Sequence, residues 1–299
     1  MAHGVSVTLT DGAPASLHFV GILIRCDCYA WSVFGAIYQT FPIPSAARGH
    51  IWRHIPATRR PRHFHAKPEL NLVAGGTARF GMGAIDLTVG SGDLLWWAPG
   101  QDHVLLDASP DFDLFVIGVT PDFSLRVLSR DVPVGPARAH LSRETLSAFS
   151  EICASMVNVR DVAAIEQRVG EVWQKAHQLR PANGFMHTLT RRALRSLVVD
   201  PELRRDAVAR CIHACPTEVS RHFHEDMGLT LAAYRTRLRL LRFIDIVDGG
   251  TDNLLAAALQ AGFGSYSQCH RSFQRTLGCT PRDFFGTELR AAMQDTVTL

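Results

Sequence analysis

Three side chains that can bind a metal ion lie close together in the segment PRHFHAKPELNLVAGG, residues 61–76. His63 and His65 are two residues apart, and Glu69 follows four residues after His65. Successive side chains of a β-strand point to opposite faces, so two histidines at this spacing share a face and can reach one cavity. Imidazole nitrogens and carboxylate oxygens are common ligands of transition metals. The segment therefore predicts either a metal site or a polar pocket for a small organic ligand.

The residues around this segment predict a small β-structure that would hold the histidines in place. Short alternating or apolar runs, separated by glycine and proline, follow each other from about residue 49 to residue 122. Their close spacing is typical of a barrel or sandwich. Trp96 and Trp97 fall on one predicted strand, where only one of them can face inward. We expect that side chain to be either part of the core or a stacking surface for a ligand.

Helical periodicity replaces the strand pattern at about residue 137. Two amphipathic helices are predicted up to about residue 179, each with an apolar side. These apolar sides are longer than a small barrel needs for its cover, which favours a contact between subunits. Packing within the chain is the alternative. Pro181–Gly184 then interrupts the helical pattern and is the predicted domain boundary.

A repeated unit occupies the C-terminal third of the chain. The stretches RHFHEDMGLTLAAY (221–234) and RSFQRTLGCTPRDF (271–284) share arginine, phenylalanine, glycine and threonine at an offset of 50 residues. Each copy has the pattern of a helix, a tight turn and a second helix, with His213 and Gly262 at the two turns. A helix from near Leu231 to Gly249 joins the copies. Such a pair holds two helices at a fixed separation, as binding to two successive major-groove segments about 34 Å apart requires.

Helical periodicity separates an inner and an outer set of residues on the second helix of each copy. The inner, core-facing set is Val219, Phe223, Cys269 and Phe273. The outer set is Thr217, Ser220, Arg221, Ser267, Gln268, His270 and Arg271. Arginine pairs with guanine, glutamine pairs with adenine, and hydroxyl groups contact either base. The alternative is that the outer set is the solvated side of an ordinary helical bundle, but the repetition favours DNA binding.

Two further positions predict where helices of this region begin. Asp200 followed by Pro201 has the pattern of an N-cap with proline at the first helical position. Ser265 is a second predicted N-cap, for a helix that runs to about Thr276.

The C-terminal region is weakly basic. From Pro181 onward it contains no lysine, 15 arginines and 12 acidic residues, and this small basic excess is compatible with phosphate contacts.

Roughly residues 183 to 286 resemble the double helix-turn-helix domain of the AraC/XylS transcriptional regulators. The most specific stretch is GFGSYSQCHRSFQRTLGCTPRDF, residues 262–284. The resemblance implies that the outer set occupies the base-facing positions and that double-stranded promoter DNA is a partner, with RNA polymerase a further one. Two residues depart from the family pattern. His213 stands where the family usually has glycine, and Cys215 stands where it usually has a serine cap, so the first recognition helix is expected to begin less firmly.

The predicted β-structure resembles the cupin barrel that many of these regulators carry as a sensor. The first cupin motif is complete, from His63 to Gly76, and the second is partial in GDLLWWAPGQDH. Ala98 and Asp107 replace the usual proline and asparagine of that second motif. In metal-binding cupins the corresponding residues are ligands, so the resemblance implies a site for Zn²⁺, Ni²⁺, Fe²⁺ or Mn²⁺ made by His63, His65, Glu69 and His103. A metal-free pocket for a small organic effector is the alternative.

These patterns predict an α+β protein of two domains, with an N-terminal cupin-like β-barrel, flanking helices and a C-terminal all-α double helix-turn-helix. The 299 residues, 46% of them hydrophobic and 20% charged, suit such a globular chain. Seven scattered cysteines without a paired CxxC motif indicate a reducing cytoplasm, and no apolar run is long enough to span a membrane. The predicted segments are an extension of unclear role (1–48), an effector-binding barrel (49–136), a helical dimerisation or linker region (137–182), the DNA-binding domain (183–290) and a tail (291–299).

The predicted function is a homodimeric, DNA-binding transcriptional regulator that senses a small effector or a metal, and the chain is predicted not to be an enzyme. The alternative is a cupin metalloenzyme of the dioxygenase or isomerase type with an accessory helical domain. The repeat separates the two hypotheses, because catalysis requires no pair of helices at a fixed spacing.

Overall fold

A computed structural model of the chain describes residues 36–41, 43–44, 46–54, 62–123, 138–179 and 186–286. The predicted boundary at Pro181–Gly184, most of the predicted N-terminal extension and the predicted C-terminal tail lie outside these residues. The predicted α+β class is confirmed, because strands make up the N-terminal part and helices make up the rest. Among the described helices, none is both long and apolar enough to cross a membrane.

The N-terminal β-domain consists of two five-stranded sheets. Its strands are β1 (Ile37–Tyr38), β2 (Gly49–Arg53), β3 (His63–Phe64), β4 (Glu69–Gly75), β5 (Thr77–Met82), β6 (Ile85–Gly90), β7 (Asp93–Trp97), β8 (His103–Ala108), β9 (Asp113–Val119) and β10 (Arg138–His140). The first sheet has the order β1-β3-β8-β5-β6 and the second β10-β7-β4-β9-β2. All neighbours are antiparallel except β1 and β3, which are parallel. Strand β1 lies before the predicted start of the barrel and was not anticipated.

The second sheet is buried on both faces, which explains the apolar character of its strands. Val73, Leu95 and Trp97 face a core that includes Phe80 of the first sheet. Trp96 lies in a different core, on the outer face of the same sheet. The prediction that only one of the two adjacent tryptophans faces inward is therefore confirmed.

Helices α1 (Arg143–Met156) and α2 (Val162–Gln178) cover that outer face. Their buried residues, among them Phe149 and Trp173, pack with Leu70 and Leu72 of β4 in one core. The apolar sides of the two helices are thus covered by their own chain. The alternative of packing within the chain is confirmed, and the reasoning from uncovered apolar surface to a subunit contact was wrong.

The C-terminal domain consists of short helices arranged around one long helix. These are α3 (Thr188–Val199), α4 (Arg205–Cys211), α5 (Pro216–Met227), α6 (Leu231–Asp248), α7 (Leu254–Gln260), α8 (Tyr266–Leu277) and α9 (Pro281–Phe285). The long linker helix α6 has the predicted limits. Its Tyr234 and Leu238 belong to the core that the first helix-turn-helix unit shares with the β-domain, whereas Phe243 and Ile244 belong to the core of the second unit. The linker helix is therefore packed against both units.

The helix starts of this domain agree with the sequence at one predicted position and disagree at another. Ser265 is the N-cap of α8 and accepts a hydrogen bond from Gln268 N–H, as predicted. Asp200 is not an N-cap, because its own N–H closes the end of α3 on Ser196 O and its carboxylate accepts from Glu202 N–H in the following turn. Helix α4 begins at Arg205, several residues later.

The two residues that depart from the family pattern are visible in the geometry of the first unit. His213 has a φ of 50°, a left-handed conformation that is uncommon for a residue with a side chain. The equivalent Gly262 of the second unit has a φ of 92°, which costs glycine little. Cys215 is the N-cap of α5 and forms no side-chain capping hydrogen bond, as its residue type predicted.

Candidate metal centre and DNA-binding faces

The three histidines predicted as ligands meet inside the β-domain. His63 on β3 pairs directly with His103 on β8, and His65 follows β3 by one residue. All three are buried, with 8%, 1% and 4% of the surface of His63, His65 and His103 exposed. They offer ring nitrogens that lie within 4.8 Å of one another. The topology of the first sheet therefore assembles a three-histidine cluster from two segments that are about 40 residues apart, an antiparallel pairing that the sequence alone does not show.

Glu69, the fourth predicted ligand, reaches two of the three histidines from the second sheet. Its carboxylate Oε2 lies 2.7 Å from His65 Nε2 and 3.6 Å from His103 Nε2. Glu69 is itself 4% exposed, so this contact is almost completely shielded from water. Trp97, directly across from Glu69 on β7, stacks on the His103 ring at a centroid distance of 4.7 Å. The tryptophan forms one wall of the site and limits the rotation of that ring.

Backbone carbonyls determine which nitrogen of each imidazole faces the cluster. His65 Nδ1 lies 2.7 Å from Lys67 O, and His103 Nδ1 lies 3.3 Å from Gln101 O. A carbonyl oxygen can only accept, so both Nδ1 atoms carry a proton and donate it. In a neutral imidazole the lone pair is then on Nε2, the atom that points to Glu69. Metal-binding histidines are commonly fixed by the same kind of outer hydrogen bond.

Burial and mutual contact act in opposite directions on the charges of His65 and Glu69. Burial lowers the pKa of His65 and favours the neutral ring. Burial opposes ionisation of Glu69, but His103 and His65 outweigh it and hold the pKa of this carboxyl well below its usual range. A proton shared by His65 Nε2 and Glu69 Oε2, 2.7 Å apart, makes this contact a buried hydrogen bond, and a bound cation would take the place of that proton. The three clustered imidazoles are ligands that suit a divalent transition metal, and Glu69 lies beside two of them.

Beside this cluster the inner face of the second sheet carries polar atoms that lack a hydrogen-bond partner among the described residues. They belong to His50 Nδ1, Asn71 Oδ1 and Trp97 Nε1. Pairing places His50 opposite Gly118 and Asn71 opposite Leu95, so these groups share the face that bears Glu69. Buried polar groups are usually paired, which makes this face suited to a polar organic ligand next to the histidines. Sequence reasoning missed His50 and Asn71, because their strand patterns are those of ordinary core.

A side chain from the segment before β2 reaches into the same space. The Phe41 ring lies 4.6 Å from the His65 ring and 4.9 Å from the Trp52 ring, measured between centroids. It rests on Gly118, where any Cβ would overlap the phenylalanine ring. Glycine at this position of β9 is therefore required by the close approach of Phe41.

The predicted inner and outer sets of the two recognition helices α5 and α8 are separated as expected. Val219, Phe223, Cys269 and Phe273 are completely buried. The outer set lies at the surface, with these residues exposed: Thr217, Arg221, Ser267, Gln268 and Arg271. Ser220 and His270 are half-buried. Both faces are accessible while the β-domain is packed against the first unit.

The outer side chains of the two helices differ in how they are held. Arg221 Nη1 binds Glu225 at 3.1 Å, and its Nη2 lies 2.9 Å from His222 Nε2, so the arginine lies along its own helix. Gln268 accepts a hydrogen bond of 2.9 Å from Gly264 N–H and keeps its amide NH₂ as a donor. Contact with a base would require Arg221 to exchange Glu225 for the nucleic acid.

Comparison with known proteins agrees with this geometry at the C-terminus. Residues 208–287 match the family described as a helix-turn-helix domain, of the AraC type. No curated protein sequence matches the chain significantly.

Solved structures with a similar arrangement are distant from this chain. ToxT from Vibrio cholerae is 13% identical, over 79% of this chain and 96% of its own, with a TM-score of 0.40. The AraC-like transcriptional activator CuxR is 11% identical, over 67% of this chain and 73% of its own, with a TM-score of 0.31. A mutant of oxalate decarboxylase OxdC from Bacillus subtilis is 22% identical, over 23% and 19%, with a TM-score of 0.21. TM-scores this low carry no functional argument.

The conclusion about the C-terminal domain therefore rests on its own sequence and geometry. Two helix-turn-helix units share one linker helix, and each presents a polar outer face and a buried inner face. The sequence match covers both recognition helices and the linker between them. The C-terminal part of the chain therefore carries an AraC-type helix-turn-helix domain, which is a DNA-binding module.

Proposed function

We propose that this regulator reads promoter DNA with both recognition helices and responds to a divalent transition metal held in its N-terminal β-domain. The observation that carries the sensor proposal is the buried cluster of three histidine rings whose nitrogens lie within 4.8 Å of one another, with the Glu69 carboxylate beside two of them. His63 supplies the remaining nitrogen. A bound cation would balance the charge of the buried carboxylate and be held by the ring nitrogens.

A small organic effector is the second ligand that this domain can take. The unpartnered polar atoms of His50, Asn71 and Trp97 and the Phe41 ring lie beside the histidines. An effector that displaces Phe41 would gain both the aromatic surface of Trp52 and these polar partners. The two ligands do not exclude each other, because the polar atoms and the histidine cluster occupy neighbouring positions on one face.

The finer organisation follows the sequence predictions. We propose that the functional units are the predicted barrel (49–136), the helical region (137–182) and the DNA-binding domain (183–290), with residues 36–41 added to the barrel because they include β1 and Phe41. We also propose a homodimer and a contact with RNA polymerase, in the same compartment as the DNA, predicted to be the cytoplasm. The dimer contact is not assigned to the apolar sides of α1 and α2, since these cover the barrel.

The metal proposal is tested by elemental analysis of untagged protein purified without chelator. Near-stoichiometric metal is expected in the wild type and less than a tenth of it in a His63→Ala/His103→Ala variant. His140→Ala is the matched control, because this histidine is largely exposed and contacts Asp93 away from the cluster. Equal metal in the wild type and the double variant would overturn the site. Absence of metal from both would leave the organic effector as the ligand.

The DNA proposal is tested by selecting binding sequences from a random duplex library with the full chain. Two conserved base clusters about one helical turn apart are expected, one for each recognition helix. The metalloenzyme alternative rests on the same buried donor set and makes the opposite prediction. It would be favoured if the metal-loaded protein enriched no sequence in this selection.

A further inference from the structure

A short loop connects the candidate metal centre to the DNA-binding domain. This contact loop, residues 98–102, joins β7 to β8 and ends next to His103. Gly100 N–H donates a hydrogen bond of 2.8 Å to His65 O, and Gln101 O accepts from His103 Nδ1. The loop is therefore tied to two of the candidate ligands, once through a backbone and once through an imidazole ring.

The other side of the contact loop is held by the linker helix α6. Arg237 Nη1 donates to Gly100 O and to Asp102 Oδ1, each at 2.9 Å. Tyr234 Oη donates to Pro99 O at 2.7 Å. The Arg237 guanidinium also lies over the ring of Phe64, 4.4 Å from its centroid, and Phe64 is the residue between His63 and His65 in the chain.

The ion pair in this contact is buried and additionally supported. The Asp102 side chain is 8% exposed and that of Arg237 is 14% exposed. Asp102 Oδ1 accepts a hydrogen bond from Arg237 at 2.9 Å, so a cationic partner compensates the burial of this carboxylate. Arg62 reaches the second oxygen at 3.0 Å. Removal of either partner would leave a charge in a site with little access to water, so the loop and the helix are held together firmly.

Close packing leaves the loop little freedom to move without the helix. Gly100 has a φ of 75°, and a Cβ built on it would lie 3.4 Å from both Leu238 and Leu241 of the linker helix. Tyr234 is completely buried in the core that the β-domain shares with the first helix-turn-helix unit. The far half of the same helix belongs to the core of the second unit. A shift of the loop is therefore a shift of the element that sets the spacing of the two recognition helices.

We infer that the contact loop, through Asp102 and its contacts with Arg237 and Tyr234, couples occupancy of the histidine cluster to the position of the linker helix and hence to DNA affinity. This inference rests on the proposed metal site. A cation that draws the His65 and His103 rings together pulls on Gly100 and Gln101, because these two residues are hydrogen-bonded to the two histidines. Coupling of this kind is reciprocal, so DNA and metal change each other's affinity by the same factor.

The experiment measures the DNA affinity of the full chain with Zn²⁺ and with a chelator, for the wild type and four variants. For the wild type the two dissociation constants are expected to differ by at least about fivefold, the lower end of typical allosteric coupling. Arg237→Met and Asp102→Asn are expected to bring this ratio to within twofold of one. Tyr234→Phe, which removes one hydroxyl and keeps the ring, should reduce the ratio in part.

Arg242→Met is the matched control for Arg237→Met. Arg242 lies exposed on the same helix, and its substitution removes the same charge. It is expected to leave the ratio unchanged, while both dissociation constants can change equally through lost phosphate contacts. Zinc content is measured for every protein in parallel. A wild type that binds zinc but shows a ratio of one overturns the coupling and leaves the metal site intact. A wild type without zinc overturns the metal site, and an unchanged wild-type ratio in Arg237→Met and Asp102→Asn overturns the role of the loop.

Discussion

The turn of the second helix-turn-helix unit offers the sharpest test of how this domain is built. Gly262 has a φ of 92°, and a Cβ at this position would overlap Glu202 Oε1. Both carboxylate oxygens of Glu202 bind Arg239 of the linker helix, so moving this side chain breaks an ion pair. Gly262→Ala must therefore accept a strained backbone and also displace a paired carboxylate.

The cost of this substitution can be worked from its parts. An L-residue in a left-handed conformation costs about 1–2 kcal/mol, from which the lower entropy of the unfolded alanine chain returns about 0.4–1 kcal/mol. The exposed ion pair contributes about 0–1 kcal/mol, and the backbone shift that relieves the overlap costs about 1 kcal/mol more. We expect a total loss of about 2 kcal/mol from the second unit. Because the turn sets the angle between α7 and α8, specific DNA affinity should fall as well.

Gly250→Ala separates backbone strain from overlap. Gly250 has a similar φ of 97°, but a Cβ there meets nothing within 4 Å. Its substitution should cost about 0.5–1 kcal/mol, from strain alone. Native-state hydrogen exchange of α8 amides in the full chain measures both local stabilities. The reasoning is refuted if the two variants agree to within about 0.5 kcal/mol, the usual error of such differences.

Three further outcomes are expected from particular side chains. Burial lowers the pKa of His177 to about 4, so stability is fully present above pH 6.5 and falls as the pH drops below it. Between pH 7 and pH 5 urea unfolding should show a loss of about 2 kcal/mol that His177→Leu largely removes, and equal pH slopes would contradict this. Arg221→Ala and Arg271→Ala should each weaken specific binding by about 1–3 kcal/mol and relax the preference at one base pair, measured by competition with mutated sites; unchanged preferences would remove their assigned roles. Gly118→Ala should cost about 1–3 kcal/mol through overlap with Phe41, and the cost should shrink when Phe41→Ala is added; additive losses in urea unfolding would place the ring elsewhere.

Most predictions that rest on the pattern of a few neighbouring residues agreed with the structure. The apolar period of the recognition helices identified Val219, Phe223, Cys269 and Phe273 as core, and Ser265 was recognised as a cap from its residue type alone. These features depend on interactions within a few residues, which the chain order already contains. The predicted N-cap at Asp200 was wrong, because an aspartate before a proline can either start one helix or follow the end of another. Which of the two it does depends on the helix that precedes it.

The candidate metal centre was predictable in composition but not in arrangement. Histidine spacing and the partial second motif indicated the four donors, whereas the pairing of β3 with β8 and the tautomers fixed by Lys67 O and Gln101 O depend on the folded sheets. His50 and Asn71 gave no signal, since a polar residue on a buried strand acquires meaning only from what lies across the sheet. The covered sides of α1 and α2 likewise show that an amphipathic helix does not specify what covers it.

By itself the sequence determined the two-domain order, the repeated helix-turn-helix unit and the donor types of the candidate metal centre, because hydrophobic period, repetition and residue chemistry are local properties of the chain. Only the tertiary structure decided that Phe41 lies against His65 and that Asp102 meets Arg237 across the domain contact. Those contacts join residues far apart in the chain, and their strength comes from burial, which exists only once the two domains have packed together.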